Sequence, residues 1–264
     1  MSDPDKRGAV VADPWRNLAT RTPARLALGR AGASLPTAEV LRFGLAHAQA
    51  RDAVNAALDV GRLRAQIDAL GFDVQNVHSA APDRPTYLRR PDLGRRLPAD
   101  GLAALQATAG DPVDLAFIVG DGLSATAVHA HAAVLLGQMQ PHLLRHRWSV
   151  APVVVAEQAR VALGDEIGHA LQAKLVAVLI GERPGLSAPD SLGVYLTFEP
   201  RPGRTDAERN CISNIRPAGL PPEAAAAKLA WLIEEALRRR VTGVTLKDES
   251  DLVLAGSQPA KPLA

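Results

Sequence analysis

The chain has 264 residues, 47% of them hydrophobic but only 3% aromatic, with a formal charge of +2. That length supports one large domain or two small ones with a full core. The near-neutral charge argues against a patch-driven nucleic-acid binder, the single Cys211 excludes an internal disulfide, and no stretch is long and apolar enough to span a bilayer.

In chain order, Met1 to Gly8 carries charge but no apolar run behind it, so no signal peptide is expected and a partly disordered start is. Residues 35–52 place Val40, Leu41, Leu45 and Ala48 at helical spacing, with Pro36-Thr37 to start the helix. A second helix runs from Val60 to Leu70 and stops at Gly71. Pro82 to Pro85 and Pro91 to Arg96 then form an irregular, arginine-rich segment. Residues 1–105 therefore read as a helical and extended N-terminal region whose apolar helix faces meet another surface, and residues 106–264 as the main domain.

From about residue 110 strands and helices alternate. Asp114 to Val119 is a strand, Ser124 caps a long alanine-rich helix, and Val150 to Val155 is the next strand. A short helix from about Asp165 to Leu171 leads to the aliphatic strand ending at Ile180, with further strands at Leu192 to Phe198 and Cys211 to Ile215. Pro222 opens a closing amphipathic helix that ends in an arginine run. The expected fold is α/β: a Rossmann-like, mainly parallel sheet flanked by helices and preceded by the helical N-terminal region.

Three segments carry candidate chemistry at strand or loop ends: Glu157 to Val161, Glu182 to Gly185, and Asn210 to Asn214. On a parallel sheet these converge on one edge, where open α/β folds bind ligands, and their scattered donors and acceptors suit a large planar ligand rich in amides. Gly120 to Ala125 fits the G-x-G-x-x-G/A pattern after a strand and before a helix, the setting of a dinucleotide site. The ribose-binding acid expected about twenty residues on is missing, so an autonomous nicotinamide-dependent oxidoreductase using Gly120–Ala125 stands as the alternative. His129, His131, His142 and His146 lack the further ligand a zinc site needs and read as exposed helical histidines. Cys211 has no histidine or lysine nearby in sequence to activate it and reads as a small buried packing residue, and no catalytic residue or metal ligand is assigned to the chain.

Taken together, Asp13-Pro14-Trp15, Thr22 to Arg25 with Gly29 to Gly32, Tyr87 to Leu97, Asp121 to Ser124, Gly164 to Gly168, Gly181 to Leu186 and Cys211 to Ile215 resemble the small (light) subunit of ethanolamine ammonia-lyase. These segments run in order over about residues 13–245. The resemblance implies a carbon–nitrogen lyase that uses adenosylcobalamin for radical deamination of ethanolamine to acetaldehyde and ammonia. It implies a large hetero-oligomer in which a TIM-barrel large subunit carries the substrate site, the N-terminal region packs on that subunit, and this chain caps the cobalamin. The family's cofactor-binding positions fall on Val161, Glu182 and Cys211. The stretch ahead of Asp13 is short and holds Pro4 and Gly8, so free cytoplasmic enzyme is expected rather than one packaged in a bacterial microcompartment.

Overall fold

A computed structural model describes residues 10–251; the expected disordered start and the absence of a leader fall on residues outside that range. Its elements are α1 (Thr37–Asn55), α2 (Val60–Asp68), β1 (Val74–His78), α3 (Arg84–Arg89), α4 (Ala99–Thr108), β2 (Val113–Gly120), α5 (Ala125–His146), β3 (Val153–Glu157), α6 (Leu163–Ala170), β4 (Ala173–Gly181), β5 (Leu192–Phe198), β6 (Arg209–Ile215) and α7 (Pro222–Arg239). Among the described residues no helix is long and apolar enough to cross a membrane.

The strands form one six-stranded sheet in the order β1-β3-β2-β4-β5-β6. The first four pair in parallel, as the long apolar runs of β2 and β4 predict for strands covered on both faces. The last two do not follow the expected direction: β5 is antiparallel to β4, and β6 to β5. The physical reason lies in the connections. Residues 182–191 and 199–208 hold no crossover helix, and a parallel return needs a long one. Two reversals bring the end of β6 back to the edge where β4 ends, since Leu192 pairs with both Gly181 and Ile215.

Two cores flank the sheet. On one face α2, α5 and α7 bury Leu63, Ile67, Leu135, Leu136, Leu229 and Ile233 against Phe117, Val155, Leu179, Val194 and Ile212. On the other, α4 and α6 bury Leu105, Leu163 and Ile167 against Ile118, Val154, Val176 and Val178. The alternation along β5 and β6 assigns the two sides: Val194, Leu196 and Ile212 join the first core, while Tyr195 points to the second side and is only half-buried. Strand β1 and helix α2 belong to this body, although they lie within residues 1–105. The apolar spacing read over 35–52 has a different fate, because Val40, Leu41, Phe43 and Leu45 of α1 are exposed, as are Val11, Trp15 and Leu18 ahead of it.

Candidate functional site

The carboxyl ends of β2, β3 and β4 meet at one edge. There the two glycine turns of the sequence interlock. Leu123 N donates to Gly181 O at 2.9 Å; a Cβ on Gly122 would lie 2.2 Å from Gly181 O, and one on Gly181 would lie 2.1 Å from Ser124 O. Gly122 also has φ +56, open to glycine at little cost. The Gly120–Ala125 turn is thus packed against the backbone of β4's end. Its acid, Asp121, is buried too: Oδ1 accepts from Ala159 N at 2.9 Å and Oδ2 from Arg84 Nη1 at 3.2 Å. Burial pushes the Asp121 carboxyl up, against the pull of the Ala159 N–H and the Arg84 charge. The fingerprint glycines serve backbone-to-backbone contact, which speaks against the nicotinamide alternative.

Over this edge lies the arginine-rich segment read as irregular. The Tyr87 ring, fully buried, is stacked by two guanidiniums, Arg84 at 4.8 Å and Arg160 at 4.2 Å from its centroid. Tyr87 Oη donates to Ala159 O at 2.9 Å, and burial holds the phenol above its ordinary pKa. Gly94 closes against the same ring, where a Cβ would lie 2.9 Å from it. Arg84 Nε reaches Val54 O at 2.8 Å, tying the strap to the end of α1.

Between strap and sheet opens a cleft of about 420 Å³, lined by Tyr87, Leu123, Arg160, Val161, Glu182 and Tyr195 among others. Val161 sits just ahead of α6. The N–H groups of Val161 and Ala162 find no backbone acceptor among the described residues, which leaves two donors at an uncapped helix start. Glu182 is held from two sides: Oε2 accepts from Ser191 Oγ and, at 3.2 Å, from Asn214 N, while Oε1 makes no such bond. Gly193 makes room for it, since a Cβ there would meet Oε1 at 3.0 Å.

Cys211 lies on β6 opposite Tyr195, on the open part of the α6 side, and is exposed rather than the buried packing residue expected, because no helix covers that strand there. Partial withdrawal from water pushes its thiol up, the Tyr195 hydroxyl pulls it down, and the Glu182 charge raises it further. At neutral pH it is a thiol, a hydrogen-bonding group and not a nucleophile. The structure therefore gathers Val161 and Glu182 on one cleft and sets Cys211 beside it through Tyr195. No sequence signal marked Ser191 or Gly193, since a lone serine or glycine carries no pattern. Arg84 and Tyr87 fall in segments the sequence singled out, but their engagement with Arg160 joins residues far apart in the chain.

Other sequence expectations changed. His131 is buried on α5 with Nε2 3.6 Å from Asp190, and His129 Nε2 accepts from Asp59 N at 2.9 Å, so neither is an exposed helical histidine. Packing against the loop ahead of α2 and the loop before β5 withdraws both from water.

A profile of the family Ethanolamine ammonia-lyase light chain (EutC) matches residues 12–247. Among curated proteins, the ethanolamine ammonia-lyase small subunit of Bradyrhizobium diazoefficiens is 59% identical over 251 residues, 95% of each chain. The small subunit of Xanthomonas campestris pv. campestris is 55% identical over 255 residues, covering 96% of this chain and 94% of the relative. That of Azotobacter vinelandii is 53% identical over 265 residues, covering 98% and 97%.

Proposed function

The chain belongs to the ethanolamine ammonia-lyase light-chain family, a component of a carbon–nitrogen lyase, and on that premise we propose that it caps adenosylcobalamin at the interface with a large subunit that carries the substrate site. The observation that carries this reading is the open cleft lined by Val161 and Glu182, with exposed Cys211 beside it across Tyr195. Its chemistry fits a corrinoid. The rim of a corrin bears amide side chains that both donate and accept, and the cleft offers free backbone donors at Val161 and Ala162 and a free carboxylate oxygen on Glu182. The half-buried Tyr195 lies beside exposed Cys211 and leaves both accessible to a ligand.

Bound adenosylcobalamin supplies a cobalt–carbon bond whose homolysis starts the radical chemistry. The residues of this chain hold and shield. Glu182 Oε1 accepts from a corrin amide, with Ser191 and the Asn214 N–H fixing its direction. Val161 and Ala162 donate to amide carbonyls, Cys211 contributes a neutral thiol, and the strap carrying Tyr87 excludes water from the corrin edge. Each such bond is worth about 0.5–1.5 kcal/mol net. The exposed apolar side chains of the N-terminal region, Val11, Trp15, Leu41 and Phe43 among them, form the surface for the large subunit.

The test is Glu182→Ala in the reconstituted complex. Adenosylcobalamin affinity should fall about tenfold, roughly the 1.4 kcal/mol of one strong hydrogen bond, while assembly with the large subunit persists. Unchanged cofactor affinity would remove the capping role.

A further inference from the structure

The cleft at Val161 continues past Arg160. On the other side of that guanidinium a second hollow of about 610 Å³ opens, and the two share Arg160 and Val161 as their common wall. Its ionised lining is Arg95, Arg96, Arg160, Arg204 and Arg209 against Asp165, Glu166 and Asp206. The charges are not equally free. Arg209 is locked on Asp165 by bonds of 2.6 and 2.7 Å, both side chains being almost fully buried. Arg204 pairs with Glu208 and Glu199. Glu166 is partly engaged, since its Oε2 accepts from Leu97 N at 2.7 Å.

Arg95, Arg96 and Arg160 remain. None makes an ion pair with a carboxylate among the described residues, and Arg160 Nε is buried without any hydrogen-bond partner. The Arg160 side chain is stacked on Tyr87, so its position is set before any ligand arrives. The start of α6, with the unbonded N–H groups of Val161 and Ala162, faces the same wall and adds the positive end of a helix. Arg160 Nη2 gives one long bond of 3.4 Å to Tyr87 O, and planar guanidiniums without a carboxylate partner beside a helix start suit a phosphate oxygen pair better than a neutral amide.

We propose that this hollow is a phosphate-class anion subsite, and that its occupant is the phosphodiester of the nucleotide tail of the corrinoid, held by Arg95, Arg96 and Arg160. This rests on the corrinoid reading of the first cleft. A corrinoid carries amides around its ring and one fixed negative charge, in that phosphodiester. Two adjoining hollows, one amide-matched and one cationic, match that division of charge within a single ligand.

The experiment uses the complex with the large subunit and measures, by equilibrium dialysis, adenosylcobalamin and adenosylcobinamide, which keeps the corrin amides but lacks the nucleotide tail. Arg95→Ala/Arg96→Ala removes two exposed side chains and leaves the fold intact. It should weaken adenosylcobalamin at least tenfold and adenosylcobinamide less than twofold. Arg160→Lys keeps the charge but loses the fork, and should weaken adenosylcobalamin about two- to fivefold with adenosylcobinamide unchanged. Inorganic phosphate should compete with adenosylcobalamin in the wild type and lose that effect in the double variant.

Equal weakening of both corrinoids would overturn the proposal, since the arginines would then only shape the cleft, and so would no weakening of either. Phosphate binding abolished by the double variant, with the preference between the corrinoids unchanged, would assign the hollow to free phosphate and overturn the corrinoid occupant. Failure of the capping role itself reads differently: Glu182→Ala would then leave both corrinoids bound as in the wild type.

Discussion

The two faces of the sheet are built to different specifications. Under α2, α5 and α7 the core is continuous from β1 to β6, all aliphatic or aromatic, with Leu229 and Ile233 of α7 reaching the last two strands. Under α4 and α6 the apolar core stops at β4; beyond it only the buried Asp165–Arg209 pair ties α6 to β6, Tyr195 is half-buried, and Cys211 and Ser213 are exposed. The same strands serve both. Residues 194, 196 and 212 turn inward and 195, 211 and 213 outward, so one strand pair closes a core and floors a cleft at once. One face confers stability and the other recognition, and the difference lies in a missing helix rather than in unusual residues.

The sharpest challenge to that division is the Asp165–Arg209 pair, which sits on the open side. Burial acts against the Arg209 charge, but the twin bonds from Asp165 outweigh it and hold the guanidinium's pKa above its ordinary value. Asp165→Ala should therefore lower unfolding stability by about 3–5 kcal/mol, read by urea denaturation. A loss below about 1 kcal/mol would leave the open side free of stabilising anchors. Next, Leu229→Ala on the closed face should cost about 2–5 kcal/mol, and the assembled complex should keep its corrinoid affinity at a temperature where the variant is folded. A parallel loss of affinity would break the division.

Smaller effects belong to the cleft. Ser191→Ala removes one of the two bonds on Glu182 Oε2 and should cost about 0.5–1.5 kcal/mol, weakening corrinoid binding by less than Glu182→Ala does. The smallest effect is at the loop walling the arginine hollow. There the Thr205 N–H, then Arg204, hold the Glu208 carboxyl down at about 2, against an ordinary 4.5. A carboxyl depressed on folding stabilises above its unfolded pKa and loses that contribution as pH falls toward the folded one. The stability difference between wild type and Glu208→Gln should be full at pH 7, shrink below about pH 4.5 and vanish near pH 2.

Much of this was legible from residues. The aliphatic runs of β2 and β4 announce strands covered on both faces, and Ser124 caps α5 as its type suggests, accepting from Ala127 N. Strand direction beyond β4 was not, because a Cα trace reverses without any residue signature beyond a short connection. Strand β1 escaped because Val74-Gln75-Asn76-Val77-His78 is short and half polar, as an edge strand is. The glycine pattern at 120–125 misled in chemistry while succeeding in place: it marked a close backbone approach, and the thing approached is the chain itself. Arg84 and Tyr87 are neighbours on one helix, but the Asp121, Gln158 and Ala159 they bond lie 37–74 positions away, beyond any local pattern.

The interlock of Gly122 and Gly181 has a bearing on how a ligand is received. The turn bearing Asp121, which anchors the strap through Arg84, and the turn bearing Glu182 touch through main chain, with no side chain between them to change rotamer. Their separation is therefore fixed by covalent geometry and one 2.9 Å bond. A cofactor entering between strap and sheet meets jaws already set to one width, and the loss of freedom that ordering them requires has been met during folding. Pre-set jaws lower the entropy penalty of capture. They also make the site intolerant of compromise: a larger residue at either glycine changes the gap for every ligand group at once.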